Sequence, residues 1–224
     1  MVNEPESCLI LFTRYPESGK AKTRLIPFLG PEGAAALQRQ MTEHILAQAL
    51  MIQYSYALRT EVHFAGGDLA KMQSWLGFEP IYQAQSEGNL GDRIVRAFQQ
   101  AFQAGMKRIV IIGADCPGLE PNQLMSAFNL LHQHDLVLGP AMDGGYYLVG
   151  LSRAMPGLFE GITWGTDQVM QQTVAIAQRL NLSFTHLDPL SDVDRPEDLP
   201  VWENIASRAR KISSLPIPSF SVTA

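Results

Sequence analysis

Cysteine is almost missing from this chain of 224 residues: Cys8 and Cys116 are the only two, and neither belongs to a Cys-x-x-Cys pair. That scarcity excludes a disulfide-built scaffold and a cysteine zinc site, and it suits a reducing compartment. Charge is sparse too, at 17% of residues, and the balance is acidic, with a formal net charge of -5. A surface of that sign is ill suited to neutralising a nucleic-acid backbone, so nucleic acid is not an expected partner. No apolar run approaches the length of a membrane span, and the opening Asn3, Glu4 and Glu6 lack the order of a secretory signal. A cytoplasmic protein without a membrane span is the expectation. His44, His132, His134 and His186 stand at no metal-ligand spacing and read as surface or packing residues.

What is present is apolar material, 46% of the chain, enough for a substantial core. The length fits one α/β domain over residues 1–212, followed by a Ser- and Pro-containing tail, 213–224, that reads as loosely attached. Short apolar runs at Cys8–Thr13 and Arg108–Gly113 have the character of central strands buried on both faces. Further strands are expected at Glu61–Ala65, Pro80–Ala84, Asp135–Met142, Tyr146–Leu151 and Ser183–Leu187. Helical patterns run from Pro31 to about Ile52, over Leu69–Leu76, from a cap at Asn89, from Pro121, over Thr166–Leu180 and from Pro196. Strands alternating with helices predict a mixed, mainly parallel sheet with helices on both faces, a three-layer α/β/α sandwich. In such sheets ligands collect beyond the carboxyl ends of the strands.

Three constellations fall at those ends. The first, Thr13 to Leu25, gathers Arg14, Lys20, Lys22 and Arg24 around Gly19 in a long loop, Arg14 to Phe28, after the first strand. So local a cluster in an acidic chain points to a small anionic ligand such as a phosphate, with Gly19 letting backbone amides approach it. It is not a Walker A loop, because position 14 is Arg and the residue after Lys20 is Ala, and no Gly-x-Gly-x-x-Gly fingerprint occurs. The second is Asp115 in Gly113-Ala114-Asp115-Cys116-Pro117, too far before Pro121 to cap the next helix. A carboxylate there suits Mg²⁺ or Mn²⁺, hard ions that bridge one or two carboxylates to substrate phosphates. The third is Asp192-Val193-Asp194-Arg195-Pro196, where Asp194 reads equally as a helix cap and as a metal ligand. Asp143-Gly144-Gly145 reads as a hairpin turn, although Asp143 could serve as an acceptor-side base and Tyr146 and Tyr147 could stack on a sugar or base.

Phe12-Thr13-Arg14-Tyr15-Pro16, Lys22-Thr23-Arg24-Leu25, the Asp115 segment, Asp143 to Leu148 and Asp192 to Leu199 occur in one order. In that order they resemble the GT-A nucleotide-diphospho-sugar transferase superfamily, and most closely the bacterial glycosyltransferase-like family DUF2064. The MobA-like and phospholactate guanylyltransferase-type nucleotidyltransferases are more distantly similar. The resemblance implies a GT-A fold, a nucleotide sugar or nucleoside triphosphate as one substrate and a small-molecule acceptor as the other. It implies Asp115 and Asp194 as the metal ligands, with Asp192 as a substitute. The loop with Arg14, Gly19, Lys20, Lys22 and Arg24 would hold the nucleotide, joined by Gly88, Asp92 and Arg93, although Asp92 and Arg93 also read as a plain helix start. Asp115, Lys22 and Asp143 are the catalytic candidates. Asp143, Gly144, Gly145, Tyr146 and Trp164 are the acceptor-side candidates, with Trp164 equally readable as core.

The chain departs from sugar-transferring relatives in lacking Asp-x-Asp, and from common nucleotidyltransferases in lacking Ala-Ala-Gly-x-Gly-x-Arg. Three functions therefore stay open. They are metal-dependent glycosyl transfer, nucleotidyl transfer with release of pyrophosphate, and nucleotide binding without catalysis. The oligomeric state is open as well, a homodimer being one option.

Overall fold

The computed structural model of the chain describes residues 5–213. The run Arg108–Gly113 forms strand β4 with the bounds expected of it, and β1 (Ser7–Arg14) lies parallel beside it. Alternate side chains of the two strands enter opposite cores: Leu9, Leu11, Val110 and Ile112 on one face, Cys8, Ile10, Ile109 and Ile111 on the other. Strands covered on both faces have no solvated side, which is why they read as continuous apolar runs.

On one flank β2 (Leu58–Ala65) and β3 (Ile81–Ala84) continue the parallel order. On the other, β6 (Tyr146–Leu151) runs antiparallel to β4 and to β5 (Leu136–Pro140), and β7 (Phe184–His186) pairs parallel with β5. The sheet order is β3-β2-β1-β4-β6-β5-β7. Helices α1 (Ile26–Tyr56), α2 (Leu69–Leu76) and α4 (Pro121–Leu130) cover the first face, through residues such as Ile45, Met72 and Leu124. Helices α3 (Leu90–Gln103) and α5 (Val169–Arg179) cover the second, through Ile94, Phe98 and Ile176. A last helix, α6 (Leu199–Ser213), follows a short 3₁₀ turn at Pro196–Asp198. The three-layer α/β/α sandwich with a mixed, mainly parallel sheet is as the alternation of elements predicts.

Several bounds differ from expectation for local reasons. The loop after β1 ends earlier than Phe28, since Thr23–Leu25 is a 3₁₀ turn that runs into α1. The expected start at Pro31 survives as a break within α1, where Gly30 takes φ 70 and Pro31 follows inside the helix. Helix α5 begins at Val169 instead of Thr166 because Thr166 Oγ1 bonds back to Thr163 O at 2.8 Å and ties the intervening loop down. Of the expected tail, residue 213 ends α6 and the remainder lies outside the described residues. Among the described residues no helix is long and apolar enough to cross a membrane.

The β5–β7 end of the sheet is held by one carboxylate. Asp135 accepts from Arg153 Nε at 2.6 Å and from both the backbone N and the hydroxyl of Ser183 at 3.0 Å, joining the entries to β5 and β7. The Arg153 contact, followed by the Ser183 bonds, lowers the Asp135 carboxyl to about 2 against an ordinary 3.8. A carboxylate whose folded pKa is depressed stabilises the fold above its unfolded pKa and loses that contribution as pH falls through the folded value. Asp135→Ala should therefore destabilise the protein at neutral pH by about 1 kcal/mol, the size of an exposed charged hydrogen-bond cluster. The gap between variant and parent should close as pH drops from near 4 towards about 2. Urea unfolding across that range checks it, and a gap that stays constant with pH would assign the effect to something other than the carboxylate charge.

Candidate active site

The parallel strands β1 and β4 end side by side, at Arg14 and Gly113, on the rim where such sheets hold ligands. The chain leaving β1 turns at Gly19 (φ 79) and then places Lys22 in a left-handed conformation, φ 46, which is uncommon for a residue with a Cβ. That conformation drives Lys22 inward, so that its side chain is only 3% exposed. Its Nζ donates to Asp115 Oδ1 at 2.5 Å and to the Val193 carbonyl at 2.5 Å, and lies 3.9 Å from Asp194 Oδ1. Next to it the Arg24 guanidinium pairs with Asp194 Oδ2. The backbone N of Val193 donates in turn to the Asp115 carbonyl at 2.8 Å. Three stretches far apart in sequence thus meet at one ammonium.

The question left open for Asp194 has a structural answer. Asp198 does the capping, accepting from the backbone N of Asp194 at 3.1 Å and of Arg195 at 2.8 Å. The Asp194 carboxylate is left to face Lys22 and Arg24. Asp192, two residues earlier, is half-buried, and its carboxyl is pushed above the ordinary range first by burial and then by the neighbouring charges of Asp143, Asp198 and Asp194.

Two adjoining cavities open over this junction. The first, about 850 Å³, carries the cations Arg14, Lys20, Lys22, Arg24 and Arg93. Arg14 is exposed, and its side chain makes no ion pair or hydrogen bond among the described residues. Lys20 pairs at the surface with Glu17, and Arg93 Nε donates to the Gly88 carbonyl at 3.0 Å. Gly19, Gly88 and Asp92 do not line the cleft. Asp92 completes a capping box with Asn89, each side chain bonding the other's backbone N at 3.0 Å, so the plain helix-start reading accounts for it. Gly88 turns with φ 108 against the Asp92 side chain.

The second cavity, about 710 Å³, lies over the β5–β6 hairpin and is lined by Asp143, Gly145, Tyr146, Trp164 and Asp192 among others. Asp143 Oδ1 accepts from the backbone N of Gly145 at 2.9 Å, the turn expected at this position. Gly144 faces away from the cleft, accepting from the backbone N of Met170 at 2.9 Å. Trp164 meets Tyr146 edge to face at 6.3 Å and lies over Gly91, where an added Cβ would come within 2.5 Å of the indole nitrogen. It is both partly core and part of the cleft wall. Cys116 also lines this half, but burial raises its thiol pKa, with Asp115, Asp192 and Asp143 adding to the shift, so it is no ready nucleophile.

Among the described residues no three His, Cys, Asp or Glu side chains form a metal cage. Asp115 and Asp194 remain as two oxygen donors flanking one cation, and a pair of carboxylates completed by water and substrate phosphate is how Mg²⁺ is commonly held. Asp192, Asp143 and Asp198 line the cavity beside this pair, so the donor set, two carboxylates among further carboxylates, fits such an ion.

Sequence reasoning missed the polar floor of the basic half. Thr13 Oγ1 and Thr42 Oγ1 lie 2.9 Å apart, and Gln38 Nε2 donates to Thr42 at 3.1 Å, all three residues buried. The signal was present: Gln38 and Thr42 interrupt the apolar stripe of Leu37, Met41 and Ile45 with polar groups one turn apart. Gln85 was missed too, although its Nε2 joins β1 and β2 by donating to the carbonyls of Thr13 and His63.

The sheet order, the three layers and a cleft at the ends of β1 and β4 define the nucleotide-diphospho-sugar transferase fold. The chain belongs to the bacterial family described as uncharacterized protein conserved in bacteria (DUF2064), whose profile matches residues 47–166. A protein provisionally named as a nucleotide-diphospho-sugar transferase, from Desulfovibrio desulfuricans G20, is similar at 35% identity over 94% of this chain and 90% of that one, with a TM-score of 0.80. The inositol-1-phosphate CTP transferase of T. maritima is similar in fold alone, at 15% identity, 91% and 96% coverage and a TM-score of 0.57. So is CMP:2-keto-3-deoxy-manno-octonic acid synthetase complexed with CTP, at 10% identity, 92% and 99% coverage and a TM-score of 0.56. No curated protein sequence matches the chain.

Lys22→Met keeps the aliphatic stem and removes the ammonium, stranding the Val193 carbonyl and leaving Asp115 and Asp194 facing each other. The expected loss is about 1–3 kcal/mol in urea unfolding, the cost of a buried polar group left without its partner. An unchanged midpoint would show that the ammonium does not hold the three segments together.

Proposed function

We propose that this protein is a metal-dependent transferase that takes a nucleotide-diphospho-sugar as donor and passes the sugar to a small-molecule acceptor. The observation that carries this reading is the pairing of Lys22 and Arg24 with Asp115 and Asp194 at the mouth of a cleft with one cationic half. The name given to the Desulfovibrio relative supports the donor class, and the transferase names of the structural neighbours support group transfer. Unpaired, buried thiols at Cys8 and Cys116 support work in the cytoplasm.

In this reading Arg14, Lys20 and Arg93 receive the donor diphosphate, and Lys22 and Arg24 exchange their carboxylate partners for phosphate oxygens. Asp115 and Asp194, released by that exchange, would hold Mg²⁺ or Mn²⁺, which neutralises charge gathering on the departing diphosphate. Asp143, at the hairpin tip, takes the proton of the attacking acceptor hydroxyl. Tyr146 and Trp164 orient the acceptor and keep water from its reacting face.

Nucleotidyl transfer is the second reading. It is favoured by the single carboxylate after β4, where Gly113 stands in place of the first Asp of an Asp-x-Asp pair, and by the CTP named for two fold neighbours. Both chemistries use the same carboxylates and cations, and they differ in the product released. Incubating the protein with Mg²⁺ or Mn²⁺ and panels of nucleotide sugars and nucleoside triphosphates, read by mass spectrometry, separates them. A nucleoside diphosphate is the expected product, and pyrophosphate would establish the second reading.

Asp115→Asn retains an oxygen that can accept from Lys22 but removes the charge. We expect kcat to fall by about 10²–10³-fold, as for loss of a single preorganised electrostatic group, with an unaltered circular dichroism spectrum. Unchanged turnover would remove Asp115 from the mechanism.

A further inference from the structure

The two halves of the cleft carry opposite charge. The basic half presents five Lys and Arg side chains against the carboxylates Asp115 and Asp194. The second half presents six carboxylates, Asp115, Asp143, Asp167, Asp192, Asp194 and Asp198, against two guanidinium groups, Arg24 and Arg195. Assigning Asp115 and Asp194 to a divalent ion does not reverse this sign. Arg24 is already opposite Asp194, and Asp143, Asp167 and Asp192 make no ion pair among the described residues. Asp143 and Asp192 both line this cavity. A phosphate or carboxylate brought into this cavity would meet like charge, a repulsion that salt weakens because Asp143 and Asp167 are exposed.

The same half also has an apolar wall. Trp164 and Tyr146 stand together on one side, and Met142, 69% exposed, lies on the hairpin at the mouth. An aromatic and thioether surface in one cavity with several carboxylates suits a molecule with a carbon face to stack and several hydroxyl or ammonium donors to offer. Carboxylates accept such donors strongly, the more so when the donor is charged.

We propose that the acceptor is a neutral or ammonium-bearing polyhydroxyl compound, such as a sugar, an amino sugar or an amino alcohol, and that phosphorylated and carboxylated acids are excluded from this half. The proposal rests on the sugar-transfer reading, because it assigns the second cavity to the acceptor. It sets this chain apart from enzymes whose nucleophile is itself a phosphate. Asp143 and Asp192 accept from the acceptor's donor groups, and Trp164 packs against its carbon face. Anions are directed by the same field to the cationic half, so the two substrates sort themselves by charge before any shape is tested.

The test uses three probes with one ring and different charge: glucose, glucosamine and glucose 6-phosphate. Binding of each to the intact protein is measured by isothermal titration calorimetry. Mg²⁺ and excess pyrophosphate fill the cationic half, so that the sugar phosphate reports only on the second one. Glucosamine is expected to bind at least about tenfold more tightly than glucose 6-phosphate, with glucose between, and the spread should shrink as salt rises, as for any charge-sorted set. In the double variant Asp143→Asn, Asp192→Asn the spread should fall to about threefold or less, because the charge is gone while the hydrogen-bonding oxygens remain. A sugar phosphate that binds as tightly as glucosamine, a spread unmoved by the double variant, or no binding by any of the three would overturn the proposal. Pyrophosphate binding in the first step is a separate readout. Its presence leaves the diphosphate-binding half of the functional reading standing when the acceptor proposal fails, and its absence removes that reading itself.

Discussion

A lysine ammonium out of contact with water is the constraint on which this cleft depends. Lys22 is turned inward by a left-handed backbone conformation and has to find acceptors for its protons, since an unpaired buried charge is strongly unfavourable. It finds them in Asp115 after β4 and in the Val193 carbonyl, with Asp194 close behind. One charge thereby brings the loop after β1, the end of β4 and the approach to α6 into contact. The apolar group of Leu25, Met41, Val193 and Leu199 joins two of those segments, the loop after β1 running into α1 and the approach to α6.

That junction explains what could be read from the sequence and what could not. The framework was legible because its strands are apolar on both faces. Arg108–Gly113 and Leu69–Leu76 appear with the bounds that their patterns predict. Asn89 caps α3 as its residue type suggests, and the Asp143 turn closes the hairpin. The constellations at the strand ends were legible one by one, because a run of cations beside a glycine and a carboxylate after a buried strand are local signals. Their mutual pairing was not. Lys22 and Asp115 are 93 residues apart, and Arg24 and Asp194 are 170 apart, so no spacing rule connects them.

Asp92 and Asp194 show the same limit from opposite sides. Each sits near a helix start, and residue type alone allows capping or ligand binding for both. Asp92 and Asp198 each reach back to backbone amides at the start of a helical turn, whereas the Asp194 side chain is turned to Lys22 and Arg24. The deciding fact is which carboxylate the chain direction brings to the amides, a matter of three-dimensional geometry. Gln38 and Thr42 were passed over for a different reason: polar residues on an apolar stripe register as imperfections until the strand they face, here at Thr13, is known.

A cleft arranged this way is neutralised from within. Its cations and carboxylates serve as each other's partners, which keeps the one buried charge, the Lys22 ammonium, tolerable. Under the function proposed above, a diphosphate alone would have to compete with Asp115 and Asp194 for Lys22 and Arg24, and a divalent cation alone would have to compete with Lys22 and Arg24 for the carboxylates. Arriving together, the two would exchange one set of opposite-charge contacts for another. The pairing would then make each ligand favour binding of the other, a coupling that is reciprocal by thermodynamic necessity. The left-handed turn at Lys22 is what brings the ammonium to the carboxylate in the first place.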